Sequence, residues 1–276
     1  MSSSTSTLPY AFKRHWMSSM RLNLNHFWMT RLMGHLLHPK VEVDDASTLQ
    51  VADLGAGTGI WASELAAELP VSAVIHAFDV SDEQFPPEAW RAPNAHFSVV
   101  DCFKPFPDEY REKFDVVNIR FWLCIVNDDC AESLLANVLT LLKPGGYIQW
   151  FESLPLSARV VARNNGQITP GCDTLVNQWR KPAGHSSYEW VMNLASLFRK
   201  QNMEVIADET LSNPDQYQPI ASQSWLVGIE EYLYQQKEGG QLEQLQKQLM
   251  EEAQGGAFVD VKYTLVLGRK SSVPIM

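Results

Sequence analysis

The sequence contains no CxxC pair, no Cys/His cluster at metal-ligand spacing, no apolar run near the roughly 20 residues of a membrane helix, and no excess of positive charge. Each absence excludes a class of protein. The four cysteines, Cys102, Cys124, Cys130 and Cys172, read as buried free thiols, so neither a metal site nor a disulfide is expected. With 22 Lys+Arg against 32 Asp+Glu, the formal charge of -10 repels phosphate backbones and anionic lipid, which argues against nucleic acid and membrane partners. The first residues, MSSSTSTLPY, lack the apolar segment of a secretory signal, and a cytoplasmic protein is expected. No internal repeat is evident.

What is there is an alternation of short apolar runs and helical stretches over 276 residues that are 45% apolar, enough for one α/β domain with elaborations. Residues 1–47 are expected to form a disordered tail and a helical cap. Two helices fit residues 10–38, with Pro39 as the stop. Residues 48–276 form the main domain. Strands are predicted at 49–54, 74–79, 96–100, 114–119 and 147–152, with helices at 60–69 and 131–142, the second closed by Lys143-Pro144-Gly145-Gly146. An amphipathic helix at 188–201 and two β-rich runs, 204–207 and 259–267, suit a closing antiparallel pair. Insertions are expected at about 154–186, with a helix near 173–180, and at about 212–258, where residues 222–254 read as helical with a break at Gly239-Gly240.

The chemistry gathers at the ends of the first three strands. Gly55, Gly57 and Gly59 form a turn between the first strand and the first helix of the alternation, where open α/β folds bind nucleotide-like ligands and where glycine permits positive φ and close approach. A dinucleotide fingerprint would need its third glycine at position 60, which is Ile60, so NAD and FAD are demoted. Asp53, two residues before the turn, is a poor neighbour for phosphate. It suits a ligand carrying ammonium and sulfonium charges, and S-adenosylmethionine (SAM) carries both. Asp79, ending the second strand, is placed to accept from ribose hydroxyls, and Asp101, ending the third, from the exocyclic amine of adenine beside the backbone of Cys102 or Phe103. Each acid alone could be a loop cap; three at successive strand ends form a pattern.

The runs VADLGAGTGIWASELAAELP, HAFDVSDEQFPPEAW, NAHFSVVDCFKPFP, FDVVNIRFWL and LLKPGGYIQWFE, with RLNLNHFWM near the start, resemble the class I SAM-dependent methyltransferases, and most closely the fungal LaeA/TAM-type methyltransferases of secondary metabolism. The resemblance covers about residues 20–155. It implies a Rossmann-like class I methyltransferase fold: a seven-stranded, mostly parallel sheet flanked by helices, with an N-terminal helical extension and helical lid insertions. It also implies SAM as cofactor, S-adenosylhomocysteine as product, and cofactor contacts from Asp53, Gly55, Gly57, Gly59, Asp79, Val80, Asp101 and Cys102, with Asn118, Arg120 and Phe121 beside the methionine end. The family's usual Gln before the helix His is Asn25 here, and its acidic pair after the third strand is reduced to Asp101 followed by Cys102.

Methyl transfer from SAM asks the protein for orientation, desolvation and, for some acceptors, proton removal. The candidates for that last task are His26, Glu152 and His185. The expected acceptor is a small, largely apolar secondary metabolite, methylated on oxygen, nitrogen or carbon. Trp179, Trp190, Trp225, Tyr232 and Tyr234 are candidate walls of its pocket. Two other readings are compatible with the residues: a SAM-binding enzyme catalysing a rearrangement, cyclisation or dehydration, and a non-catalytic regulatory SAM-binding protein.

Overall fold

The computed structural model describes residues 14–180, 187–235 and 239–272. In chain order the elements are α1 (Trp16–Met33), β1 (Gln50–Leu54), α2 (Ile60–Glu68), β2 (Val74–Asp79), β3 (Ala95–Val99), β4 (Phe114–Arg120), α3 (Ala131–Val138), β5 (Leu142–Ala162), α4 (Pro170–Arg180), α5 (Glu189–Met192), α6 (Leu194–Lys200), β6 (Met203–Leu211), α7 (Gln218–Gln235), α8 (Gly239–Gln254) and β7 (Ala257–Lys270). The strands make one seven-stranded sheet in the order β3-β2-β1-β4-β5-β7-β6, parallel from β3 to β5, with β7 antiparallel to both β5 and β6.

The inner strands are apolar almost throughout because both faces of the sheet are covered. Ala52, Leu54, Phe78, Val117 and Ile119 face α3 and α6, while Val51, Ile75, Ala77 and Val116 face Trp61, Ala62 and Leu65 of α2. A third cluster lies under the added helices: Trp28 and Met29 of α1, Leu175 of α4, Ala221 of α7 and Leu249 of α8 meet Phe151, Val259 and Tyr263. No helix among the described residues is long and apolar enough to cross a membrane. All four cysteines are free thiols, with Cys124 only half-buried.

Several element boundaries differ from expectation, each for a visible reason. A single helix, α1, replaces the expected pair among the described residues, and Gly34, not Pro39, stops it: at φ 82° its N–H turns back to the Thr30 carbonyl at 2.8 Å. α3 ends at Val138, four residues early, because Leu142 already pairs with Phe114 and residues 143–146 form a bulge in β5 rather than a closing turn. β5 runs on past Glu152 to Ala162, so the expected insertion at 154–186 begins as strand. β7 supplies the partner, with Ala162 opposite Ala257. The expected helix over 188–201 is split into α5 and α6 at Asn193 (φ -121°, ψ 30°).

Candidate functional site

Parallel register sets the site. Asp53 lies opposite both Ala77 and Asn118, and Asp79 opposite Val99, so the carboxyl ends of β1, β2, β3 and β4 come to one edge. The chain leaves β1 through Gly55, Gly57 and Gly59, all at positive φ (69°, 56° and 69°). Glycine is required there twice over. A Cβ on Gly55 would sit 2.5 Å from Nε1 of Trp122, and one on Gly59 would run into the Phe97 ring. The Gly57 N–H donates to Asp79 Oδ2 at 2.9 Å and the Ser81 N–H to Oδ1 at 3.2 Å, which ties the second acid to the turn. Burial raises the Asp79 pKa above the usual carboxylate value, with those N–H groups and the charge of Arg14 opposing. Val80 beside it is 55% exposed. Asp101 accepts the Phe103 N–H at 3.1 Å and pairs with Lys104 at 3.0 Å. The Cys102 thiol is buried, and burial pushes its pKa up.

Beneath the turn runs a buried polar chain that the sequence did not announce. Gln149 Nε2 donates to the Leu36 carbonyl at 2.9 Å and to Asn118 Oδ1 at 3.1 Å, and Gln149 Oε1 accepts the His38 N–H at 2.7 Å. Those contacts fix the Asn118 amide, whose Nδ2 donates to Asp53 Oδ1 at 2.8 Å. Asp53 Oδ2 has no partner, although only 3% of the residue is exposed. Burial pushes the Asp53 pKa up to about 6, against the pull of Arg120 and Asn118. A polar residue inside the apolar run Tyr147-Ile148-Gln149-Trp150-Phe151 was the one available signal for Gln149.

Arg120 and His26 form a second chain. The guanidinium can only donate, so the 3.2 Å contact from Arg120 Nη1 makes His26 Nδ1 an acceptor and places the imidazole proton on Nε2, which donates to Glu64 Oε2 at 2.7 Å. Burial first, and then Arg120, lower the His26 pKa and so favour the neutral ring, while Glu64 opposes. Arg120 also lies 5.9 Å from the Trp61 ring. Nothing in the sequence linked Glu64 to His26, 38 residues away.

Past Arg120 the backbone turns sharply. Phe121 has φ 62°, its N–H donates to the Phe151 carbonyl at 3.2 Å, and its ring meets Phe151 edge-on at 5.5 Å. Glu152, with no exposed surface, accepts the Trp122 N–H on Oε2 at 2.6 Å and the Ser153 N–H on Oε1 at 3.2 Å. Burial pushes the Glu152 pKa up to about 8. Over the turn lies α1, where Asn23 accepts the Thr58 hydroxyl at 2.6 Å and Asn25 meets Ser224. Arg21 pairs with Glu231 of α7 at 3.2 Å, both nearly buried.

A family model described as a methyltransferase domain matches residues 24–208. The chain belongs to this methyltransferase-domain family. It is 33% identical over 140 residues to a methyltransferase named grgD from a Penicillium species, covering 48% of each chain. It is 34% identical over 141 residues to the N-methyltransferase tcpN of Claviceps purpurea, covering 50% of each. The chain thus spans about half the length of the curated relatives it matches. Among solved structures, the [4+2]-cyclase SpnF superposes with a TM-score of 0.51 at 16% identity, over 97% of this chain and 100% of that one, a likeness of fold.

Within this methyltransferase-domain fold, Asp53, the three glycines, Asp79, Val80, Asp101, Cys102, Asn118, Arg120 and Phe121 all stand at the carboxyl ends of β1 to β4 or in the turns that leave them. His26 and Glu152 join them there, while His185 and the side chains of Trp225, Tyr232 and Tyr234 lie outside the described residues. Trp190 is not a pocket wall: it is buried 5.5 Å from Trp150 in the main core. Two surface hollows, of about 470 and 310 Å³, lie at the opposite edge, around Met203 and Lys270 and around Asp115 and Tyr147.

Proposed function

We propose that the protein binds SAM at the carboxyl edge of β1 to β4 and transfers its methyl group to a small, largely apolar acceptor of secondary metabolism, on oxygen, nitrogen or carbon. The observation that carries the reading is the orphaned, buried Oδ2 of Asp53 beside a three-glycine turn, with Asp79 and Asp101 at the next two strand ends. A buried carboxylate oxygen without a partner is costly alone and is relieved by a cationic ligand. Bound SAM would supply a methyl group already activated on a sulfonium.

Asp53 would take the ammonium group, and Arg120, Asn118 and Phe121 would border the methionine end. Gly55, Gly57 and Gly59 would admit the ligand to the backbone, Asp79 with Val80 would hold the ribose, and Asp101 with Cys102 the adenine. His26 has both ring nitrogens engaged, so its part is to orient Arg120 rather than to remove a proton. The reading includes a cap up to residue 47 and a methyltransferase domain from residue 48, with α1 roofing the turn. The name of the Claviceps relative, an N-methyltransferase, makes nitrogen the first acceptor to test.

Calorimetry of SAM binding to wild type and Asp79→Ala tests the cofactor. Loss of charge-assisted hydrogen bonds to the ribose, about 1.5–3 kcal/mol each, lowers affinity tenfold or more. A folded Asp79→Ala variant with wild-type affinity would refute the site. Transfer of radiolabelled methyl from SAM into amine-bearing and hydroxyl-bearing apolar compounds then tests the reaction.

A further inference from the structure

A general base must face its substrate, whereas the Glu152 carboxyl group has no exposed surface and both its oxygens are turned to main chain, Oε2 receiving the Trp122 N–H and Oε1 the Ser153 N–H. What those bonds hold is unusual backbone. Phe121 sits at φ 62°, a left-handed conformation that costs a non-glycine residue free energy and persists only where neighbours fix it. Trp122, next along, is therefore aimed by an anchored N–H.

The Trp122 indole crosses to β1, where Nε1 donates to the Leu54 carbonyl at 3.2 Å. It is also the group that a Cβ on Gly55 would strike at 2.5 Å, and its other side stacks on Phe103, two residues past Asp101, at 5.9 Å. One residue thus links the end of β5 to both the glycine turn and the loop after β3.

We propose that Glu152 is a positioning residue: its carboxyl group pins the Trp122 main chain, and the Trp122 indole in turn sets the shape of the turn from Leu54 to Gly59 on which the cofactor rests. The inference builds on the SAM reading but has a readout that does not need it. Amide hydrogen exchange follows the turn itself through the Ala56, Gly57 and Gly59 N–H groups, which donate to Phe78, Asp79 and Ala56.

The experiment compares wild type, Glu152→Gln, Glu152→Ala, Trp122→Phe and the Glu152→Ala/Trp122→Phe double variant, by exchange and by SAM calorimetry well below each melting temperature. Glu152→Gln, whose amide oxygen still accepts the Trp122 N–H, keeps wild-type exchange in the turn and SAM affinity within about threefold. Glu152→Ala speeds exchange about tenfold in the turn while β2 and β4 stay protected, and weakens SAM about tenfold. Trp122→Phe reproduces this, and the double variant adds little to either single change, because both act through one path. Unchanged turn exchange in folded Glu152→Ala overturns the proposal, as do additive effects in the double variant. Equal losses in Glu152→Gln and Glu152→Ala also overturn it, since they would assign the role to the carboxyl's charge or proton. Failure of wild type to bind SAM would instead overturn the cofactor reading, with the exchange result still deciding this one. If Glu152→Ala does not fold, Glu152→Leu, which fills the same space but accepts neither N–H, takes its place alone and in the double variant, with the same expected and overturning results.

Discussion

The two edges of the sheet treat their acids in opposite ways. At the amino edge Asp115 is half-exposed and satisfied: the Gln50 N–H and the Lys143 ammonium each reach it at 2.9 Å, and the Lys143 contact spans both oxygens. Lys270 there donates to the Leu139 and Leu142 carbonyls, and Arg269 to that of Gly145. At the carboxyl edge Asp53 and Glu152 are buried with raised pKa values, one oxygen of Asp53 has no partner, and the neighbouring cation, Arg120, is engaged with His26. The first edge stabilises the fold as it stands. The second retains unsatisfied charge that a cationic ligand would offset, and such departures from local consistency belong at functional sites.

The largest way to break the contrast is to fill the glycine turn. Gly55→Val adds a Cβ at φ 69° and 2.5 Å from the Trp122 indole, so left-handed strain and overpacking add. The expected destabilisation is about 2–5 kcal/mol, roughly 5–15 °C in a thermal melt, with SAM binding abolished. A variant melting within a degree of wild type would show that the turn is not packed as described.

Asp53→Asn sharpens the comparison with a smaller effect of opposite sign. The folded-state pKa of Asp53 is raised, to about 6 from 3.8, so the ionised group costs the folded protein stability. That cost is absent at low pH, grows as pH rises through this window, and is complete above it. The variant therefore gains on wild type between pH 4 and pH 6, by on the order of 2 kcal/mol, while losing SAM affinity about tenfold. Melting curves of both proteins at pH 4.5 and pH 7.5 check it. A difference that does not change with pH would sink the account of Asp53.

Most of the sheet was legible because its cause is local. β1 to β4 are short apolar runs ending in Leu54, Asp79, Val99 and Arg120, each within a residue of expectation, and once they pair in parallel the acids must meet. What was not legible depends on partners distant in sequence. The length of β5 is set by β7, about a hundred residues later, and the early end of α3 by Leu142 pairing with Phe114. In the site, Asp53 and Asn118 were visible at strand ends, whereas Gln149, Glu64 and Trp122 owe their parts to contacts across the sheet or between helices. His26 and Glu152 stand out in sequence as polar residues in apolar settings. The bonds that engage their side-chain atoms emerge only when the neighbours are in place.

The smallest expected effect comes from the satisfied edge. Lys143→Met removes the ammonium from Asp115 but leaves the Gln50 N–H, and both partners are more than a third exposed (Lys143 38%, Asp115 34%). A pair so open to solvent contributes at most about 1 kcal/mol, and less at high ionic strength. The melting temperature should fall by no more than about 3 °C, the difference should shrink in 0.5 M salt, and SAM affinity should stay at the wild-type value. Calorimetry is the sharper check. The carboxyl edge is separated from Lys143 by the length of β4, whose residues 116–119 are buried and locked in register on both sides. A loss of SAM affinity in a variant that melts normally would mean that charge at one end of that strand is felt at the other, and the division between an edge that holds the fold and an edge that holds the ligand would have to be abandoned.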